Sequence, residues 1–398
     1  MKRFRIWTLF IIFLCASLIF SDFGMAVSAE EKEENLQLYA KSAVLMDADS
    51  GRVLYGKEEE QLRPNASTTK IMTCILAIES GKLDDTVKVS EYAASMPKVH
   101  LGMTTGDTFV LKDLLYSLML ESHNDTAVAV AEHVGGSVEE FAKMMNEKAK
   151  ELGCTNTHFI TPNGLDAKDD ISVHGTTAKD LAKIMSYCIQ NETFLEITQT
   201  KQYQFSNCEG TRSFTCNNHN AFLQMMEGAL SGKTGFTADA GYCYVGALKR
   251  GDRTFVVALL ACGWPNNQSY KWADTKKLME YGLENYEKVV VKVDQNLDSL
   301  PVLNAADETY DPDREILMPI SIAGKDMKIL KAKDEKVQVK YTGKKSLKAP
   351  MEKGVVVGSA EYYVGEEKIA SYPMVTTEKV SQRTPQWYFR CVFEKFRF

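Results

Sequence analysis

"GYCYVGALKR" at residues 241–250 and "RTFVVALLAC" at residues 253–262 decide the fold. Both runs are dense in β-branched and aromatic residues, the composition of a packed sheet. Two shorter runs of the same character precede them, "KQYQFSN" (201–207) and "RSFTCN" (212–217). Near the other end of the block, "SAVLMDADSGRVLYGKE" (42–58) has two apolar strands around an Asp-Ala-Asp-Ser-Gly turn, a hairpin pattern. The stretch between is helical in period. Ile71, Cys74, Ile75 and Ile78 fall at i, i+3, i+4, i+7, comparable patterns run through 111–121, 124–134, 137–152 and 176–190, and a last helix is expected from about Tyr270 to Tyr286. Strands at both ends with helices between imply one sheet assembled from both ends of a domain and covered by helices, an α/β (α+β) class.

From about residue 288 the helical patterns stop. "KVVVKV", "EILMPISI", "KVQVKYT" and "GVVVGSAEYYV" are short strands separated by turn residues, which predicts a small all-β sandwich over 288–378 after a domain spanning 30–287. In the tail, 379–398, "TPQWYFRCVFEKFRF" puts Phe389, Val392, Phe393 and Phe396 on one helical face. Arg390, Lys395 and Arg397 are set there against the single acid Glu394. A basic amphipathic helix of this kind suits the surface of an anionic membrane and is too short and too charged to span one. A frayed terminus or a strand packed on the sandwich is the alternative.

The first 29 residues differ from the rest. Lys2, Arg3 and Arg5 precede an apolar run from Ile6 to Phe20, then small residues at Val27, Ser28 and Ala29, the pattern of a secretory signal peptide cleaved after Ala29. A retained N-terminal anchor is the alternative. Leu14 before Cys15 does not suit a lipidation site. The whole chain of 398 residues is 44% hydrophobic and 25% charged with a net charge of −6, and loss of a +2 leader leaves −8. That composition is of a folded protein and does not favour nucleic acid as a partner. The eight cysteines beyond residue 29 are scattered rather than in CxxC pairs, so no zinc or redox site is expected. Cys208 and Cys216 could face each other across a hairpin near Glu209 and Gly210 and form a disulfide in an exported protein. Cys74, Cys188 and Cys243 sit in apolar patterns and read as buried thiols.

"RPNASTTKIMTCILAIES" (63–80) holds a serine three residues before a lysine at the head of a helix. In a helix, i and i+3 are neighbours one turn apart, so Lys70 could serve as the base that a weakly nucleophilic Ser67 needs. Ser67 could equally be an N-cap. "SMPK" at Ser95 to Lys98 repeats the spacing with a proline inside and no apolar stripe after it, so spacing alone decides nothing. Two further elements do. Ser122-His123-Asn124 lies at the junction of two helical patterns, and Lys233-Thr234-Gly235 enters a strand. Ser-x-x-Lys, Ser-x-Asn and Lys-Thr-Gly in this order form the signature of penicillin-binding proteins and class A β-lactamases.

Each part has a chemical reason. Lys70 accepts a proton only if neutral, and desolvation together with a second cation, Lys233, pushes its pKa down. Ser122 can relay a proton to a leaving amine, and Asn124 can hold Lys70 or a substrate amide. Lys233 and Thr234 suit a substrate carboxylate, and Gly235 lets a peptide backbone approach. The N–H groups of Ser67 and Phe236 are the expected oxyanion donors.

With these motifs the chain resembles the serine-type D-alanyl-D-alanine carboxypeptidases, the low-molecular-mass penicillin-binding proteins of peptidase family S11. The likeness extends to "DADSGRVLYGK", "PNASTTKIMT", "SHNDTAVAVAEHVGGS", "TPNGLDAKDDISVHGTTAKDLAKIM" and "GKTGFTADAGYCYVGALKR", covering about residues 38–287, and more loosely to 288–378. It implies a penicillin-recognising domain with an antiparallel sheet, and removal of the terminal D-alanine from peptidoglycan stem pentapeptides through an acyl-serine. It also implies covalent binding of β-lactam antibiotics, no cofactor or metal, and a location outside the cytoplasmic membrane or in the cell wall. The tail resembles the family's membrane anchor. Position 123 is His where the family commonly has Gly, and Phe236 stands where some members have His. His174 falls in a family loop and is assigned no chemistry. The rival readings are a D,D-endopeptidase using the same residues, a non-catalytic wall or β-lactam binder, and a β-lactamase. The last needs a deacylating glutamate, for which Glu192 and Glu196 are the candidates.

Overall fold

The computed structural model describes residues 36–294 and 296–396, and the expected leader, 1–29, lies outside them. Residues 38 onward form one compact unit. Its centre is a five-stranded antiparallel sheet of β1 (Ser42–Asp47), β2 (Val53–Lys57), β3 (Ala229–Thr237), β4 (Gly241–Arg250) and β5 (Arg253–Leu260), in the order β2-β1-β5-β4-β3. The two stretches that open the sequence reading are thus β4 and β5, and β5 pairs with β1 from the far end of the chain, Leu45 opposite Val257. Every residue of β1 is buried, as a strand covered on both faces must be.

Alternation along the strands sorts the two faces. Val44, Met46, Val245, Val256 and Ala258 join the core of the helical body: α1 (Lys70–Glu79), α2 (Leu111–Tyr116), α3 (Asn124–Gly135), α4 (Val138–Glu151) and α5 (Ala178–Cys188). Leu45 and Phe255 face α6 (Tyr270–Asn285), packing against Gly282, where a Cβ would come within 3.0 Å of the Leu45 side chain. Helices cover both faces, and β3 is left as a free edge.

Within this first part the structure departs from the sequence reading in three places. Ser67 lies not in the α-helix but in a 3₁₀ turn, Ala66–Thr69, and Lys70 is the first residue of α1. The 111–121 pattern is α-helical only to Tyr116 and continues as a π turn, Ser117–Glu121, which ends on Ser122 in the left-handed region at φ 68°. The expected hairpin forms from Gln202–Ser206 and Ser213–Asn217, but its register sets Cys216 opposite Tyr203. Cys208 lies past the strand end, exposed, while Cys216 is buried, and both are free thiols. Cys74, Cys188 and Cys243 are buried and free as expected.

The C-terminal part is all-β. Strands β6 (Tyr286–Val291), β7 (Leu297–Leu303), β8 (Leu317–Ile322), β9 (Met327–Ala332), β10 (Val337–Gly343), β11 (Leu347–Lys348), β12 (Val356–Val364) and β13 (Glu367–Thr376) form two sheets. Six make a sheet in the order β10-β12-β13-β8-β7-β11, and β6 pairs with β9. A last helix, α7 (Pro385–Lys395), is capped by the Thr384 side chain. It buries Trp387 and Cys391 and leaves Phe389, Val392, Phe393 and Phe396 exposed.

Candidate active site

The 3₁₀ turn that carries Ser67 is held from behind. The Asn65 amide donates to Thr68 Oγ1 (3.1 Å) and Thr69 Oγ1 (2.9 Å), and the Thr68 hydroxyl donates to the Asn65 carbonyl (2.6 Å). His174 Nδ1 accepts the N–H groups of Ile160 (3.0 Å) and Thr161 (3.3 Å), so its proton is on Nε2 and is donated to Thr69 Oγ1 at 2.8 Å. Burial pushes the His174 pKa down to about 4 and keeps the ring neutral. No side-chain capping bond from Ser67 is found at the head of α1, so the N-cap reading does not hold.

Ser67 Oγ is reached by Lys70 Nζ at 2.9 Å, and the same nitrogen donates to Asn124 Oδ1 (2.9 Å) and to the Asn163 carbonyl (2.8 Å). Lys70 is fully buried, and desolvation, then the nearby Lys233 cation, hold its pKa well below the usual lysine value. A neutral amine has two N–H groups and one lone pair. Two of the three partners, the Asn124 and Asn163 oxygens, can only accept, which leaves the lone pair to face the Ser67 hydroxyl proton. The Asn163 carbonyl is brought in by the 161–168 loop through Gly164. There φ is +81° and a Cβ would lie 2.0 Å from the Ala66 carbonyl oxygen, so only glycine allows the approach.

Ser122 ends the π turn with its Oγ accepting from Lys233 Nζ at 2.9 Å. Lys233 is 3% exposed, and burial pulls its pKa to about 7. Asn124 starts α3. Its N–H donates to the Val99 carbonyl (2.7 Å) and its amide to that of Pro97 (3.2 Å), while the buried Asp125 carboxylate accepts from Leu101, Gly102 and Met103 N–H. These bonds fix the 97–103 loop as one wall. The free edge strand β3 is the other. A Cβ on Gly235 would come 2.9 Å from Ser67 N, so the strand passes directly over the start of the turn only because this residue is glycine.

Between the walls lies a cleft of about 520 Å³, lined by Ser67, Ser122, Asn124, Lys233, Thr234, Gly235 and Phe236, with Lys70 buried beneath it. All eight residues singled out in the sequence meet here. Lys271 was not foreseen. Its buried ammonium lies 4.7 Å from the Tyr242 ring centroid and 4.9 Å from that of Trp272, and all three side chains line the same cleft. The Asn163 carbonyl was missed as well, since a backbone acceptor has no residue signature, while His174, assigned to a loop with no chemistry, supports the turn as such a residue would. Glu192 and Glu196 do not line the cleft. Glu196 instead accepts from Tyr116 Oη (2.8 Å) and Lys112 (3.2 Å). Among the described residues no cluster of His, Cys, Asp and Glu could hold a metal ion.

Residues 27–262 match the family described as D-alanyl-D-alanine carboxypeptidase, and residues 320–382 match the penicillin-binding protein 5 C-terminal domain. The chain is 31% identical to D-alanyl-D-alanine carboxypeptidase DacF of Bacillus subtilis, over 92% of each chain. The crystal structure of D-alanyl-D-alanine carboxypeptidase DacD from Francisella tularensis is similar with a TM-score of 0.68 at 25% identity, over 88% of this chain and 96% of that one. That of penicillin-binding protein 5 from Haemophilus influenzae is similar at 0.65 and 26%, over 87% and 98%.

Proposed function

The chain belongs to the D-alanyl-D-alanine carboxypeptidase family of serine hydrolases, and from that premise we propose that it removes the terminal D-alanine from peptidoglycan stem pentapeptides through an acyl intermediate on Ser67. The observation that carries this reading is the contact of Lys70 Nζ with Ser67 Oγ, 2.9 Å, with the lysine wholly buried beside a second buried lysine.

The substrate peptide lies along the free edge of β3, where backbone groups of the strand can pair with it. Its terminal carboxylate meets Lys233 and Thr234, with Lys271 lining the same cleft. Lys70 takes the Ser67 proton as Oγ bonds to the carbonyl carbon of the penultimate D-alanine. The N–H groups of Ser67 and Phe236 stabilise the oxyanion. The C–N bond breaks as the leaving nitrogen receives the Ser122 proton, which Lys233 replaces across its 2.9 Å contact. Lys70 has then gained one proton and Lys233 lost one, and exchange with solvent through the open cleft restores both. A water entering next gives its proton to Lys70 and attacks the ester, and Ser67 regains its proton from Lys70. A β-lactam acylates the same oxygen, but its opened ring stays attached.

The test is a pentapeptide ending in D-alanyl-D-alanine, with Ser67→Ala alongside. Wild type is expected to release D-alanine, and the variant none. Release by Ser67→Ala at the wild-type rate would sink the proposal, and rapid penicillin turnover would favour a β-lactamase instead.

The working place proposed is the outer face of the cytoplasmic membrane or the cell wall, reached through the expected leader. No helix of the described residues is long and apolar enough to cross a membrane. The exposed Phe389, Val392, Phe393 and Phe396 of α7 support a peripheral contact. Deleting residues 383–398 is expected to release the protein from sedimenting membranes, and a truncated chain that still pellets removes the tail from the account.

A further inference from the structure

Ser122 holds an unusual backbone conformation. At φ 68° it is in the left-handed region, which side-chain-bearing residues seldom enter unless their surroundings impose it. What surrounds it is a π turn on one side and the start of α3 on the other, and a chain of three side chains ties the two together from within. His123 Nδ1 is 2.8 Å from Ser117 Oγ, at the start of the π turn, and Ser117 Oγ is 3.0 Å from Thr126 Oγ1, in the first turn of α3. Ser117 and Thr126 are fully buried and His123 is 9% exposed, so no water competes freely for these bonds.

We propose that His123 is a positioning residue: by stapling the π turn to α3 through Ser117 and Thr126, it keeps Ser122 in its left-handed conformation with Oγ aimed at Lys233. The inference rests on the carboxypeptidase reading above and assigns His123 no contact with substrate. The ring lies within electrostatic reach of Lys70, His100, Glu121 and Asp125, and burial dominates over these, pushing its pKa to about 4. It is therefore neutral at working pH and adds no cation beside Lys70, so its part is geometric. Released from the staple, Ser122 relaxes to a commoner backbone conformation, the 2.9 Å contact with Lys233 is lost, and the leaving nitrogen loses its proton donor.

This gives the staple a signature that general loosening of the site lacks. An amine leaves poorly without a proton, whereas a thiolate leaves without one. The full chain carrying His123→Ala is compared with wild type on a peptide ending in D-alanyl-D-alanine and on the matching thioester. The expected kcat/KM loss is about 10-fold or more on the amide and under about 3-fold on the thioester, in line with removal of a general acid. Ser117→Ala is expected to give the same selective loss from the other end of the staple, and the double variant no more than either alone. His123→Asn, whose amide can reach Ser117, is expected to recover most of the amide rate. Equal losses on both substrates, or an amide rate unchanged in both single variants, overturn the proposal. A wild-type chain that cleaves neither substrate overturns the carboxypeptidase reading instead.

Discussion

Lys233 makes the chemistry depend on pH in a way that can be worked out from its surroundings. The site needs Lys70 neutral to accept a proton and Lys233 charged to hold a carboxylate. Burial lowers both, Lys70 also because the Lys233 cation repels it, and Lys233 keeps its proton to about pH 7. In the free enzyme kcat/KM is therefore expected to rise as Lys70 deprotonates and to fall above about pH 7 as Lys233 does. Lys233→Arg, charged at every accessible pH, is expected to remove the falling limb while leaving the rising one. A falling limb unchanged in that variant means that another group controls it. At this scale much was legible. Ser67 had a bland local reading as a helix cap, and the order of Ser67, Lys70, Ser122, Asn124 and Lys233 along the chain was what pointed to one cleft. Asn163 was not legible, because it acts through a carbonyl that any residue would supply. Lys271 was not, because nothing in its helical pattern tells a cleft-facing lysine from a solvated one.

Among the elements, the turn that carries the nucleophile depends on one close backbone approach. Alanine at Gly164 would need φ +81° and would put a Cβ 2.0 Å from the Ala66 carbonyl, so Gly164→Ala is expected to lower thermal stability by roughly 1–3 kcal/mol. It is also expected to slow acylation, since the Asn163 carbonyl retreats from Lys70. An unchanged penicillin acylation rate in a folded Gly164→Ala chain would show that this carbonyl does not orient the amine. Periodicity located the helices well, the expected 270–286 being observed as Tyr270–Asn285. It could not separate a 3₁₀ turn from α-helix at Ser67, nor the π turn at Ser117–Glu121, because both keep the apolar face that the pattern reports. Of the C-terminal strands, β7, β9, β11 and β13 were not read. β9 sets Ile329 beside Leu330 with lysines around them, and β13 carries Pro373 and is half-buried or exposed at all but its last residue, so neither alternates cleanly.

At the scale of the molecule, the all-β part meets the sheet at the edge opposite the cleft. Arg52, in the turn after β1, pairs with Glu335 and with Glu367 (2.9 Å) and donates to the Leu330 carbonyl (3.3 Å). Lys288 pairs with Asp49, and the Tyr286 hydroxyl donates to the Leu54 carbonyl at 2.8 Å. The cleft lies along β3, with β1, β5 and β4 intervening. Arg52→Ala is thus expected to cost roughly 1–3 kcal/mol of stability, read by thermal melting, and to leave penicillin acylation within about 2-fold of wild type. A large acylation loss would mean that the β part shapes the cleft from a distance. The fold class was legible because strand-like runs flank the helical block, but the anchoring of the second part through Arg52 was not, since its partners Leu330 and Glu335 lie about 280 residues away in sequence and Glu367 farther still. The central claim is that Ser67 is the nucleophile activated by Lys70. Its most direct test is peptide mapping by mass spectrometry after brief exposure to penicillin. The account predicts one stoichiometric adduct on the peptide bearing Ser67, absent in Ser67→Ala and strongly slowed in Lys70→Met. An adduct at another residue, or one that persists in Ser67→Ala, would contradict it.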